Sequence, residues 1–204
     1  GDIGSGPAAE QHAVALLQHR SPRVQMLAAI SCGKLRASAA TPHLLKMIGA
    51  AANAVPVLRE AGVIGLMGAA TPADLAKLSS HPSEPVRIAA VVALRRLGAT
   101  KELMNYLIDS SPQVMSDAVL AIYDAADLQT FEKNPEALQA IAKKLAPSNA
   151  SRINIRALAA NRRLGTVDAL ERLSTFLTDP NNFRKNERLM AIELLASWAT
   201  PTSL

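Results

Sequence analysis

The segment SEPVRIAAVVALRRLG, residues 83 to 98, constrains the fold most strongly, because weaker copies of it occur before and after it in the chain. Val86, Ala90 and Ala93 follow the four- and three-residue spacing of one apolar helix face, and Gly98 is a typical helix stop. Counted from Val86, the equivalent positions are Val24, Leu58, Val114, Ile153 and, less clearly, Glu187, at intervals of 28 to 39 residues. Six copies at such intervals predict stacked helix pairs.

The composition agrees with a helical array. Hydrophobic residues make up 49% of the 204 residues and aromatic residues only 3%, so the chain lacks the aromatic runs expected of sheets. We therefore predict an all-α chain with a core of small aliphatic side chains on closely approaching helices. A formal net charge of +5 is compatible with an acidic partner but does not require one.

Side-chain acceptors, often followed by proline, predict where the helices begin. For first helices of the pairs, the predicted starts are Thr41-Pro42, Thr71-Pro72, Thr100, Asn134-Pro135 and Thr166. For second helices they are Ser21-Pro22, Ser111-Pro112 and Asp179-Pro180.

Two segments depart from the repeat. Gly62, Gly65 and Gly68 lie at every third residue of the second helix in pair two and predict close approach by a neighbouring helix. A phosphate-binding loop would need a lysine and a preceding strand, which are missing there. Residues 124 to 135 predict an extended loop between repeats, where Phe131 either packs back on the array or is exposed as a contact.

The segments PVRIAAVVALRRLG and PRVQMLAAISCGKL resemble the HEAT repeat family. The arginine usual in that motif is present as Arg59, Arg87 and Arg188 and is replaced by Gln25, Met115 and Asn154. The resemblance covers nearly the whole chain and implies an all-α fold, an α-solenoid (HEAT-like superhelix) of about six antiparallel helix pairs. It also implies a scaffold role, since such arrays present long curved surfaces.

Residues 155 to 201 resemble more narrowly the closing HEAT segment of large exported bacterial dehydrogenase-like proteins, the PVC-type haem-binding family. The matching residues are Asn161, Leu164, Gly165, Leu173, Phe176, Arg188, Ala191, Leu194, Leu195, Trp198 and Pro201. The resemblance implies a β-propeller before the repeats, a c-type haem module after them, and an exported or periplasmic location. This sequence contains no CxxCH motif, so any redox chemistry would lie outside it.

The same reasoning gives the domain boundaries. Residues 1–6 are expected to be a cloning remnant or linker, residues 7–200 the solenoid domain and residues 201–204 a C-terminal tail. No apolar run approaches the roughly 18 residues of a membrane span, so no membrane insertion is expected.

Candidate catalytic and metal-binding residues are few. His12, His19, His43 and His81 are scattered without metal-ligand spacing, and Cys32 lies in the apolar register of a helix, where a buried residue is expected. We therefore predict no catalytic residue, cofactor or metal, and a module that is not itself an enzyme. A catalytic array of the DNA-repair type is kept as a minor alternative.

The basic residues recur in the repeat register. Lys34, Arg96 and Arg163 occupy one position, and Arg95 and Arg162 the position before it, so these five form the candidate interaction surface. Gly68, Asp124 and Ser197 interrupt the pattern. The expected partner is a protein or a neighbouring domain of the same parent chain. The alternative is duplex nucleic acid, held by its backbone because the chain has few aromatic stacking platforms.

Overall fold

A computed structural model describes residues 6–51, 55–125 and 135–198. These residues form α-helices and short 3₁₀ turns and contain no strand. The chain divides into two compact units, Gly1–Tyr106 and Leu107–Leu204. No helix within the described ranges is long and apolar enough to cross a membrane.

The first unit contains seven α-helices in its described part. They are α1 (Pro7–Leu16), α2 (Pro22–Leu35), α3 (Thr41–Ala51), α4 (Pro56–Ala69), α5 (Pro72–Lys77), α6 (Glu84–Arg96) and α7 (Thr100–Leu103). The second helices α2, α4 and α6 pack in succession, and α1, α3 and α5 each pack on the second helix of their own pair.

The described part of the second unit contains five α-helices. They are α8 (Pro112–Ala125), α9 (Pro135–Ala142), α10 (Ser151–Leu164), α11 (Val167–Thr178) and α12 (Lys185–Ala196). Here α8, α10 and α12 pack in succession, while α9 and α11 pack on α10 and α12 respectively.

The predicted fold class is confirmed as an all-α, HEAT-like solenoid of helix pairs. All six marker positions lie on second helices, and five of them are at most 4% exposed. The boundary between the units falls within predicted pair four, since α7 belongs to the first unit and α8 to the second. The predicted loop over residues 124 to 135 overlaps the helices on both sides, because Asp124 lies in α8 and Pro135 begins α9. Phe131 and Asn134 lie outside the described residues, as do 1–5 and 199–204.

The predicted helix starts have mixed outcomes. Thr71 and Thr166 cap their helices by accepting hydrogen bonds from the Asp74 and Ala169 amides, both at 3.2 Å. The prediction is wrong for Asp179, whose carboxylate accepts from the Asn181 amide at 2.8 Å and so closes a turn after α11. Because that turn occupies the next few residues, α12 begins only at Lys185.

The helix starts predicted at Thr41 and Thr100 are confirmed, but neither hydroxyl accepts a capping hydrogen bond within the described residues. Thr41 is itself the first residue of α3, and its hydroxyl donates to the Ala69 carbonyl at 3.3 Å. Thr100 likewise begins α7, where Ala99 is the capping residue and provides no side-chain acceptor.

The glycines of α4 allow the close packing that their spacing predicted. A Cβ at Gly65 would lie 2.9 Å from the Ala29 carbonyl oxygen of α2, and one at Gly68 would collide with the backbone of Gly33. The contact is reciprocal, because a Cβ at Gly33 would lie 2.6 Å from the Ile64 carbonyl oxygen. The glycine spacing of α4 predicted one side of this contact but did not indicate Gly33 on α2.

We expect Gly33→Ala to destabilise the protein by about 1–3 kcal/mol, because the added methyl group must displace backbone atoms of α4. Gly49→Ala is the matched control: its Cβ would lie 3.6 Å from Ser83 Oγ, an ordinary contact. That substitution should be neutral or stabilising by up to about 1 kcal/mol through helix propensity. Urea unfolding measures both, and equal destabilisation by the two variants would contradict the close-contact interpretation.

Cys32 lies in the core of the first unit with 0% exposure, as expected from its register, and burial raises the pKa of its thiol. Stability from burying the neutral thiol is present below the ordinary thiol pKa and is lost as pH rises, because the unfolded thiol ionises first. We expect the urea midpoint to fall more steeply at alkaline pH in the natural protein than in Cys32→Ala. A soluble thiol reagent should react with Cys32 only as fast as the protein opens.

Candidate interaction surface

The predicted basic residues of the first unit lie in the last turns of their helices. Lys34 on α2 and Arg95 and Arg96 on α6 are all exposed. Arg96 makes a bidentate ion pair with Glu60 of α4, with nitrogen–oxygen distances of 2.5 and 3.1 Å. Its charge is therefore already matched within the protein, which leaves Lys34 and Arg95 as the stronger candidates for contact in this unit.

In the second unit, Arg162 and Arg163 of α10 are half-buried. The Arg162 guanidinium donates to the Ser197 carbonyl at 3.1 Å and lies 5.5 Å from the centroid of the Trp198 ring. These contacts fix the end of α10 against the residues that follow α12. The structure thus gives Arg162 a packing role that its register alone did not indicate.

Asp124, which interrupts the basic pattern, is paired with Arg156 of α10. The two nitrogen–oxygen distances are 2.6 and 2.9 Å, and the carboxylate raises the pKa of Arg156. This pair joins α8 to α10 at a partly exposed position. Surface pairs of this kind contribute at most about 1 kcal/mol.

A buried polar cluster surrounds Glu187 in the second unit, and no sequence motif predicted it. Glu187 occupies the marker position that is apolar in the other five repeats, and its side chain is only 3% exposed. Oε1 accepts hydrogen bonds from Ser151 Oγ and, at 3.1 Å, from Arg184 Nη1. Oε2 accepts from Asn154 Nδ2 at 2.7 Å. The sequence signal for this cluster was a charged residue at a position that is apolar in the other repeats.

Asn154 extends this cluster into the preceding turn. Its Nδ2 group also donates to the Ala146 carbonyl at 2.9 Å, and its Oδ1 accepts from the Ala146 amide at 3.2 Å. Arg87 holds the equivalent turn in the first unit, where its Nη1 donates to the His81 carbonyl at 2.8 Å. Asn154 therefore replaces the motif arginine as the group that binds the turn carbonyl.

A cleft of about 500 Å³ lies beside the Glu187 cluster, between the N-terminal halves of α10 and α12. Its walls combine apolar and cationic side chains: Ser151, Ile155, Arg184, Lys185, Asn186, Glu187 and Met190. Phe183 directly precedes Arg184 and is 87% exposed. The cleft contains none of the five predicted basic residues.

The histidines have local roles where the structure describes them. The Nδ1 atoms of His19 and His81 each accept a hydrogen bond at 3.1 Å from a backbone amide two residues ahead. Within residues 6–51, 55–125 and 135–198, no three His, Cys, Asp or Glu side chains converge as a metal site would require.

Neither a family model nor a curated protein matches the chain. Among solved structures, the chain is similar to human deoxyhypusine hydroxylase in complex with glycerol, at 16% identity and a TM-score of 0.35. The match covers 94% of this chain and 85% of that one. The matched protein is an enzyme, and this finding contradicts the prediction that the module is not itself an enzyme. A likeness this weak gives no argument about substrate or reaction.

We expect Glu187→Ala to destabilise the protein by about 2 kcal/mol, because Asn154, Ser151 and Arg184 all lose their shared acceptor. In a double-mutant cycle with Asn154→Ala, measured by urea unfolding, the coupling should be about 1 kcal/mol or more. Arg188→Ala, an exposed change one residue away, is the control and should stay within about 0.5 kcal/mol. Additive effects of the two cluster substitutions would show that the buried contact is energetically unimportant.

Proposed function

We propose that this HEAT-like helical-repeat chain is a scaffold that binds a protein partner, or a neighbouring domain of the same parent chain, through the surface of α10 and α12. The exposure of Phe183 supports this proposal most directly, since 87% of this aromatic residue is accessible and it directly precedes Arg184, which lines the cleft. Exposed apolar groups rimmed by polar residues are typical of interaction sites.

Further apolar side chains lie on the same two helices. Leu189 and Ile192 on α12 are 47% and 48% exposed, and Ile155 on α10 is 44% exposed. Each of these values is ordinary alone, because single exposed apolar residues are common. Together with Phe183 they give this part of the second unit the mixed apolar and polar character of protein interfaces.

The choice between a separate partner and a neighbouring domain rests on the resemblance of residues 155 to 201 to the closing HEAT segment of exported dehydrogenase-like proteins. That resemblance supports an inter-domain contact and an exported or periplasmic location. It supplies no chemistry to this chain, whose described residues contain no haem-attachment motif.

A nucleic-acid-binding solenoid is the alternative, and it has less support. Of the five predicted basic residues, Arg96 is matched by Glu60, and Arg162 is packed on Trp198. A duplex-binding surface should still reveal itself by affinity that falls steeply with salt. Absence of binding to duplex DNA at low salt would exclude that alternative.

Photocrosslinking tests the proposed surface directly. A photoreactive phenylalanine analogue placed at Phe183 should crosslink to a protein segment in cells that express the natural full-length reading frame. The same analogue at Leu27, which is 54% exposed in the first unit, is the matched control. Protein crosslinks at Phe183 and not at Leu27 support the proposal, and mass spectrometry then distinguishes a neighbouring domain from a separate protein.

Three results contradict the proposal: no crosslink at Phe183, equal crosslinking at both positions, or crosslinks to nucleic acid alone.

A further inference from the structure

We propose that the cleft between α10 and α12 binds an acidic peptide segment that carries an apolar side chain. A carboxylate of the peptide would lie at Lys185 and Arg184, and its apolar side chain would lie against Ile155 and Met190. This inference rests on the proposed scaffold function and names the chemistry of its partner.

The charges lining the cleft favour an anionic partner. Arg184 and Lys185 are cationic, and Glu187 is the one carboxylate among the lining residues, which leaves an excess of one positive charge. Both oxygens of Glu187 already accept hydrogen bonds from the protein, so its charge is directed inward. Because Arg184 is ion-paired with Glu187 at 3.1 Å, the excess positive charge lies at the exposed Lys185.

These cations retain donors for a ligand. Arg184 uses Nη1 for Ser151 and Glu187, whereas its Nε and Nη2 donate to no acceptor among the described residues. Lys185 is exposed and forms no ion pair within the described ranges. A guanidinium with free nitrogens can bind a carboxylate through two parallel hydrogen bonds.

The apolar side chains of the cleft favour a ligand that carries an apolar group in addition to a negative charge. Ile155 is 44% exposed and Met190 is half-buried, so both can be covered further by a ligand. A methionine adapts its shape to different apolar groups. An extended peptide supplies carboxylate and apolar side chains together, whereas the phosphate backbone of a duplex offers charge without an apolar group for this wall.

The cleft is also organised before binding. Arg184 is held by Ser151 and Glu187, and Glu187 is held by Asn154 from the preceding repeat. A side chain that is already ordered loses less entropy when a ligand binds. The buried cluster therefore supports recognition without contacting the peptide itself.

Fluorescence anisotropy with the full chain tests this chemistry. The probe is a fluorescein-labelled peptide of alternating glutamate and leucine, and the two comparison peptides replace glutamate by glutamine or leucine by serine. We expect saturable binding of the probe that weakens as salt rises, and binding about tenfold weaker for each comparison peptide.

Matched charge reversals locate the site. Lys185→Glu should weaken probe binding about tenfold, whereas Lys46→Glu makes the same change at an exposed position of the first unit and should leave binding unchanged. Both variants should keep the natural urea midpoint, since each altered side chain is exposed. Equal losses in the two variants, or tighter binding of duplex DNA than of the probe, would overturn the inference.

The outcomes separate this inference from the proposed function. Protein crosslinks at Phe183 combined with no saturable binding of the acidic probe would overturn the acidic-peptide inference and leave the interaction surface standing. Absence of both would overturn the two proposals together.

Discussion

The stacking of successive second helices is the interaction on which the rest of the structure depends. A single helix pair cannot bury its apolar face alone, so each unit gains its core only as neighbouring pairs are added. In the first unit α2, α4 and α6 form this row, and in the second α8, α10 and α12 form it. Five of the six marker positions are nearly inaccessible to solvent, so the same register places a buried side chain in five of the six repeats.

Periodicity made the fold predictable because it records burial directly. The spacing from Val86 located all six second helices, and the glycines of α4 indicated a close helix contact. Side-chain hydrogen bonds were less predictable, because their partners depend on where the backbone turns. Asp179 was expected to begin a helix and instead closes a turn through the Asn181 amide.

The candidate site was harder to predict for the same reason. Glu187 and Asn154 are 33 residues apart and meet only because α10 and α12 are adjacent in the fold. No local spacing indicates such a pair. The basic residues, in contrast, were predicted from a regular register. Arg96 and Arg162 nevertheless have partners on other segments, which a register cannot reveal.

The contact between α2 and α4 limits how freely the repeats could be exchanged. The backbone of Gly33 occupies the space that a side chain at Gly68 would need, and the backbone of Ile64 and Gly65 occupies the space that a side chain at Gly33 would need. A copy of either helix placed beside an ordinary alanine-bearing neighbour would collide or leave a gap. An array with its repeats in another order would therefore have to keep α2 and α4 adjacent to preserve this close packing.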